Sequence, residues 1–346
     1  MASIRFLLGS HVALVLLLVQ PCIGSEFTFL MDHPGKVSVI VERTQTKELK
    51  LSAGEAGAFN ANLERLRGLL LAQPVFNPPL GVKVAGYIRA QSPIHAVTRN
   101  APATGHGYIR FHFSFLDKKT GKPDWVCCTT DEIQLYINQP GAGFDSVGLD
   151  DRSRFYNEPK QIATLNGFPV YRTDQYSDEI IVLYRGAKPL WVPVTREEYV
   201  KMWLRMWEES AAKSVHDTVS PVIVERHKAA LARMSAEERQ MQVRRLVGGG
   251  DPDPEGCGSY PQDPYEPQIT PAGCLAGRPL VKFNPNLFDP SLPRSVFQLI
   301  TFRFVYGPLN PDQPGPTEYG DISPYRVWEA LHRSDWEAIG AALTAK

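Results

Sequence analysis

Between Gly107 and Leu116 the chain alternates without a break. Tyr108, Arg110, His112 and Ser114 fall on one parity, and Ile109, Phe111, Phe113 and Phe115 on the other. A period of two is that of a strand with one buried face. Its polar row carries the candidate binding residues of the chain, Arg110 and His112. A guanidinium can hold an anionic group, and an imidazole can give or take a proton near neutral pH. The plainer reading of the same row is the solvated outer face of a half-buried sheet.

Other chemistry-bearing residues reduce to structural readings. His216 and His227 stand on either side of Pro221 and can meet only through tertiary folding. Trp203 and Trp207 share a helical stripe with Val200 and Leu204, which points to core packing. Glu197 and Glu198 lie in the first turn beside the capping residue Thr195, where the helix dipole favours acids. Asp251, Asp253 and Glu255 alternate with Pro252 and Pro254, but lack the glycine and closing glutamate of a calcium loop. Gly141-Ala142-Gly143 lacks the third glycine of a dinucleotide loop. The G-x-S-x-G, H-E-x-x-H and G-x-x-x-x-G-K patterns do not occur. No catalytic residue and no cofactor is therefore assigned.

The cysteines depend on the compartment. Met1 to Arg5 is basic, Phe6 to Val19 is mostly apolar, and Pro21 to Gly24 ends in small residues. That order is a secretory signal peptide over residues 1–24, too short for a comfortable membrane span. No later segment is apolar and long enough to span a bilayer, so the mature region, residues 25–346, is expected to be exported, periplasmic or secreted. It keeps Cys127, Cys128, Cys257 and Cys274. Four cysteines allow three pairings. Cys257 and Cys274 lie in the Pro/Gly-rich loop 248–279, which has little apolar content to hold it; a bond there would stabilise by about 3 kcal/mol in the loop-entropy account. Cys127 and Cys128 are adjacent on an expected strand, so their side chains point to opposite faces, and they read as buried thiols rather than a strained vicinal bridge. Zinc needs two close pairs of Cys or His, which adjacent cysteines with no nearby histidine do not supply; no metal site is assigned. Lys plus Arg equals Asp plus Glu at 37 each, so nothing suggests a nucleic-acid partner, which would call for a basic surface.

The elements follow from periodicity and caps. Val37–Val41 reads as a strand. Ser52 and Glu55 have capping-box spacing ahead of a helical face made by Phe59, Leu63, Leu66 and Leu70, which ends before Pro78 and Pro79. Val82–Ile88, Gly107–Leu116, Trp125–Thr129 and Glu132–Asn138 read as strands. The last three form an antiparallel meander with one buried face, and Asp117–Asp124 is its first turn. The polar stretch 140–159 is a candidate boundary. Phe168–Arg172, Glu179–Tyr184 and Leu190–Val194 make a second strand group. Thr195, Pro221 and Ser235 start three helices, the last running to Gly248-Gly249-Gly250. Phe297–Tyr306 is a long strand. Ser323-Pro324 opens a helix carrying Val327, Trp328 and Leu331, and Ser334 caps a final one holding Ile339 and Leu343. The class is α+β: antiparallel sheet with helices packed on one side or end.

Two segments, Lys188–Tyr199 and Asn284–Ser295, resemble segments of uncharacterised exported bacterial proteins, a group with no known activity to transfer. That resemblance implies a bacterial exported origin. The expectation is a non-enzymatic exported protein that binds a ligand or an envelope protein. The alternatives are an envelope hydrolase whose residues meet only in the fold, beginning with His112 and Arg110, and a structural partner in a larger assembly.

Overall fold

The computed structural model describes residues 27–43, 49–92, 101–126, 131–147, 154–173, 178–213, 217–245, 256–257, 263, 265–306 and 322–343. The leader, Cys127, Cys128, His216 and the acids Asp251, Asp253 and Glu255 lie outside these residues. The fold is α+β, with mixed and antiparallel sheets.

β1 (Phe27–Phe29) and β2 (Val37–Glu42) precede α1 (Ala53–Leu71). The capping box forms: Glu55 N–H donates to Ser52 Oγ at 3.3 Å, and Ser52 N–H donates to Glu55 Oε2 at 2.9 Å. Phe59, Leu63, Leu66 and Leu70 are buried along one face of α1. β3 (Val82–Ala90), β4 (Gly105–Asp117), β5 (Lys122–Trp125) and β6 (Glu132–Ile137) follow. The expected meander forms only in part. β4 is antiparallel to both β5 and β6, but β5 begins inside the expected turn and pairs with Ser114–Asp117, while β6 pairs with Gly105–Arg110. Among the described residues, β5 and β6 therefore lie against different ends of β4 and not against each other. β3 is antiparallel to β4 on its other edge. β2 departs from the antiparallel expectation and runs parallel to β3. A helix intervenes between them, and a helical crossover returns the chain in its original direction.

Next come β7 (Tyr156–Asn157), β8 (Lys160–Leu165), β9 (Phe168–Arg172), β10 (Glu179–Leu183) and β11 (Trp191–Pro193). β8 and β9 form a hairpin across Asn166-Gly167, both at positive φ, the backbone a two-residue turn requires. α2 (Arg196–Lys213), α3 (Ser220–Arg233) and α4 (Ala236–Gln240) are the three expected helices. α4 stops well short of the glycine run. Val243, fully buried, hydrogen-bonds to Val194 and Leu280, so the chain becomes extended there. β12 (Arg244–Arg245), β13 (Arg278–Phe283), β14 (Ile300–Val305), α5 (Ile322–His332) and α6 (Trp336–Gly340) complete the chain. The cap of α6 is Asp335, whose Oδ1 accepts from Ala338 N–H at 3.0 Å, one residue beyond the expected Ser334.

The main sheet has the order β2-β3-β4-β6-β14-β10-β9-β8, with β1 and β5 added to the far end of β4. It carries strands from both sides of the 140–159 stretch. One face packs against α1, α5 and α6 in the largest core, where Phe302 and Phe304 meet the buried Trp336 ring at 5.3 and 5.9 Å. Gly86, Gly105 and Gly107 let chains approach closely on this face. A Cβ at Gly86 would stand 1.9 Å from the Tyr108 carbonyl oxygen. The second sheet, β11-β13-β12 with β7 on β13, covers the other face over β9, β10 and the start of β14, with Ile180, Val182, Tyr171 and Leu299 against Val281, Phe283 and Leu287. The segments Lys188–Tyr199 and Asn284–Ser295 meet there. Asn284 N–H donates to Leu190 O at 2.9 Å, and Lys188 Nζ donates to Asn286 O. α2 lies over the second sheet, in a core with Val194, Tyr199, Val200 and Leu280.

Glu179 ties β10 to α5. It is 3 % exposed and accepts from Arg172 at 2.8 Å and Tyr306 at 2.8 Å, with His332 Nε2 at 2.9 Å. Burial alone would raise its pKa, but hydrogen bonds from His332, Arg172 and Tyr306 outweigh it and hold the carboxyl at about 2, below the usual 4.5. A depressed carboxylate stabilises above its unfolded pKa, and that contribution is lost as pH falls through the folded one. About 3 kcal/mol should therefore disappear between roughly pH 4.5 and 2. Glu179→Gln should remove that acid-dependent loss and be less stable at pH 7, as read by urea unfolding across pH; an unchanged acid slope would count against the assignment. Gly86→Val should cost more than about 2 kcal/mol by forcing β3 from β4; a wild-type urea midpoint would show that the strands can separate freely.

Candidate functional site: an aromatic half-face of the main sheet

Among the described residues, the second sheet does not extend over β2, β3, β4 and β6 on the face opposite α1. Their side chains form three cross-strand rows: Arg89–His106–Tyr136, Tyr87–Tyr108–Gln134 and Ala85–Arg110–Glu132. β14 extends the first two with Thr301 and Arg303. Arg110 and Ile40 are exposed, whereas Tyr87, Arg89, His106, Tyr108, His112, Gln134 and Tyr136 are half-buried. Opposed residues on one sheet face stand close enough for rings and long side chains to touch.

His106 is the centre of the ring cluster. Its centroid lies 5.3 Å from Tyr108, 5.3 Å from Tyr136 and 6.2 Å from Tyr87. The tilted and edge-on arrangements are those favoured by ring quadrupoles. Arg89 sits 4.7 Å over Tyr87 and Arg110 5.2 Å over Tyr108. A hydrogen-bonded string joins the two tyrosine hydroxyls to the polar groups beside them. Arg110 Nε donates to Glu132 Oε2 at 3.1 Å, Gln134 Nε2 to Glu132 Oε1 at 2.7 Å and to Tyr108 OH at 3.3 Å, and Tyr136 OH to Gln134 Oε1 at 2.7 Å. Arg303 borders the string, donating to Asp178 Oδ2 at 2.8 Å and to Gly143 O at 3.1 Å.

Ion pairs offset three of the charges of this face, and Lys83, opposite His112, has no ion pair among the described residues. Arg89 pairs with Glu42 at 3.2 Å, Arg110 with Glu132 and Arg303 with Asp178. Burial, then the nearby Arg89 charge, lowers the pKa of His106. Burial also pushes Tyr136 up to about 12, and burial with the Glu132 charge raises Tyr108. At neutral pH the imidazole and both phenols are uncharged, and each can donate or accept. His106 Nδ1 is buried without a hydrogen-bond partner among the described residues.

Both candidate residues lie on this side of β4. Arg110 faces Glu132, and His112 lies opposite Lys83 in the register. Burial lowers the His112 pKa, and the main chain of Val126 takes a hydrogen bond from its ring. Ser114 leaves the row: it is fully buried, and its Oγ donates to Leu30 O at 3.3 Å. There β4 is flanked by β1 and β5 and its alternation shifts. The periodicity reading missed His106, Glu132, Gln134, Tyr136, Tyr87 and Arg89. His106 has the parity of Tyr108 but lies beyond Gly107, where the pattern was taken to begin.

The remaining candidates separate. His227 is buried in α3, its Nδ1 2.9 Å from Ile223 O. Trp203 packs against Tyr199 in the core beneath α2, while Trp207 is half-buried. Glu197 binds Lys201 at 2.7 Å and Glu198 binds Lys282, so the two carboxylates serve different partners. Cys257 and Cys274 form the expected disulfide. Among the described residues, no three His, Cys, Asp or Glu side chains gather to hold a metal ion. Two hollows, of about 380 and 480 Å³, lie away from the aromatic face.

Imidazole NMR titration should place the midpoints of His106 and His112 below 6.5, because burial disfavours the cation. A midpoint above 6.5 for either would contradict the packing described. Comparison with known proteins finds no matching family model, no similar curated protein and no similar solved structure.

Proposed function

We propose that this chain is a non-enzymatic exported binding protein, and that the aromatic half-face of its main sheet holds a neutral, hydroxyl-rich ligand of the saccharide class. The observation that carries the reading is the His106-centred tyrosine cluster joined to a string of Gln134, Glu132 and Tyr136 hydrogen bonds. Half-buried rings offer flat apolar surface to the C–H faces of a sugar, and amide, phenol and carboxylate groups bond its hydroxyls. Arg89, Arg110 and Arg303 at the face are already paired, which leaves Lys83, opposite His112 at its edge, as the cation there with no ion pair among the described residues. Catalysis by His112 fits less well, since its ring bonds to the main chain of Val126 and Glu132 is engaged by Arg110 and Gln134. Export is supported by the N-terminal pattern and by the disulfide, a bond that persists in oxidising compartments. No helix among the described residues is long and apolar enough to cross a membrane. The contact between Lys188–Tyr199 and Asn284–Ser295 makes one unit of the segments that resemble exported bacterial proteins.

The test is a glycan array with residues 25–346, followed by calorimetry on the best binder. Tyr108→Ala and Tyr87→Ala should each weaken binding at least about tenfold, a loss of roughly 1.4 kcal/mol. Affinity should be level from pH 8 to 6.5 and fall below that as His106 gains a proton. No saccharide binding at millimolar concentration would overturn the ligand class. Turnover of a bound saccharide would overturn the non-enzymatic assignment.

A further inference from the structure

A second site stands apart from the aromatic face, in the hollow of about 380 Å³ between the helices and the disulfide-closed segment. Arg196, the first residue of α2, lines it at 6 % exposure. Its Nη1 donates to Thr270 O at 2.6 Å, and its Nη2 lies 3.3 Å from Glu238 Oε1. Its Nε–H is buried without a hydrogen-bond partner among the described residues. A buried guanidinium N–H lacking an acceptor is costly and rare. Across the hollow, Arg233 pairs with Glu266 at 2.8 Å. Ala230, Met234 and Ile269 supply an apolar wall.

We infer that this hollow binds a small zwitterion with an apolar side chain, an apolar α-amino acid or the free ends of a very short peptide. The charge arrangement selects that class. Both cations already have a carboxylate, so an incoming simple anion would compete with Glu238 for Arg196 and leave Glu238 uncompensated. A zwitterion replaces both halves of a pair at once: its carboxylate meets Arg196, and its ammonium meets Glu238 or Glu266. Its side chain lies against Met234 and Ile269. The hollow falls in the size range of small-ligand sites. Glu266, Ile269 and Thr270 all belong to the segment closed by Cys257–Cys274, so the crosslink restrains one wall.

The test uses L-leucine, leucinamide, which lacks the carboxylate, and 4-methylpentanoate, which lacks the ammonium, each titrated calorimetrically into residues 25–346. L-Leucine should bind at least about tenfold more tightly than either half-probe, which is about 1.4 kcal/mol. Equal binding of 4-methylpentanoate would overturn the zwitterion assignment, and no L-leucine binding at millimolar concentration would overturn the site. Glu266→Gln, at the rim, should weaken L-leucine several-fold with thermal unfolding unchanged; Arg196→Gln should abolish binding if it folds. Cys257→Ser with Cys274→Ser should also weaken L-leucine, and unchanged affinity would overturn the restraint by the disulfide.

Discussion

β14 hydrogen-bonds to β6 along one edge and to β10 along the other, and this double pairing holds the main sheet in one piece. Phe302 and Phe304 place the strand in the core under Trp336, while Arg303 on the opposite face reaches Asp178 and Gly143. Asn138, just after β6, ties the end of that strand to the segment leading into β14. Its side chain donates to Ala103 O and Val296 O and accepts from Gln298 and Leu299 N–H, four bonds from one residue that is 1 % exposed. Such a buried, fully bonded side chain fixes one geometry, because every alternative leaves polar groups unpaired. The aromatic rows inherit their register from this arrangement.

Legibility in the sequence followed the range of the forces involved. Local ones were plain: the Ser52–Glu55 box, the stripe Phe59–Leu63–Leu66–Leu70 and the alternation through Ile109 and Phe111 all hold. The Asn166-Gly167 turn was equally local, and its β8–β9 hairpin could have been read from that pair alone. The end of α4 was not local. Val243 is drawn into extended form by carbonyl and amide groups of Val194 and Leu280, distant in sequence. The parallel partnership of β2 with β3 likewise depends on where α1 packs.

The site divides in the same way. Arg110 and His112 stood out because they interrupt an apolar alternation on one strand. His106, Gln134 and Tyr136 did not, since their meaning comes from sitting opposite one another across β4 and β6. Ser114 shows the converse error: its parity assigns it to the open face, but flanking chains bury it. A single-strand pattern gives parity; only register shows which parities share a surface.

The pairing of Ile300 with Ile137 has a temporal side. The strand that joins the two parts of the sheet is made after both β6 and β10, and contacts so distant in sequence form slowly because the intervening chain must first be closed into a loop. Until β14 emerges, β6 and β10 each have a free edge, and the growing chain cannot complete its main sheet. A polypeptide that has not yet closed its sheet is one that can still be threaded through a membrane, as the proposed export would require.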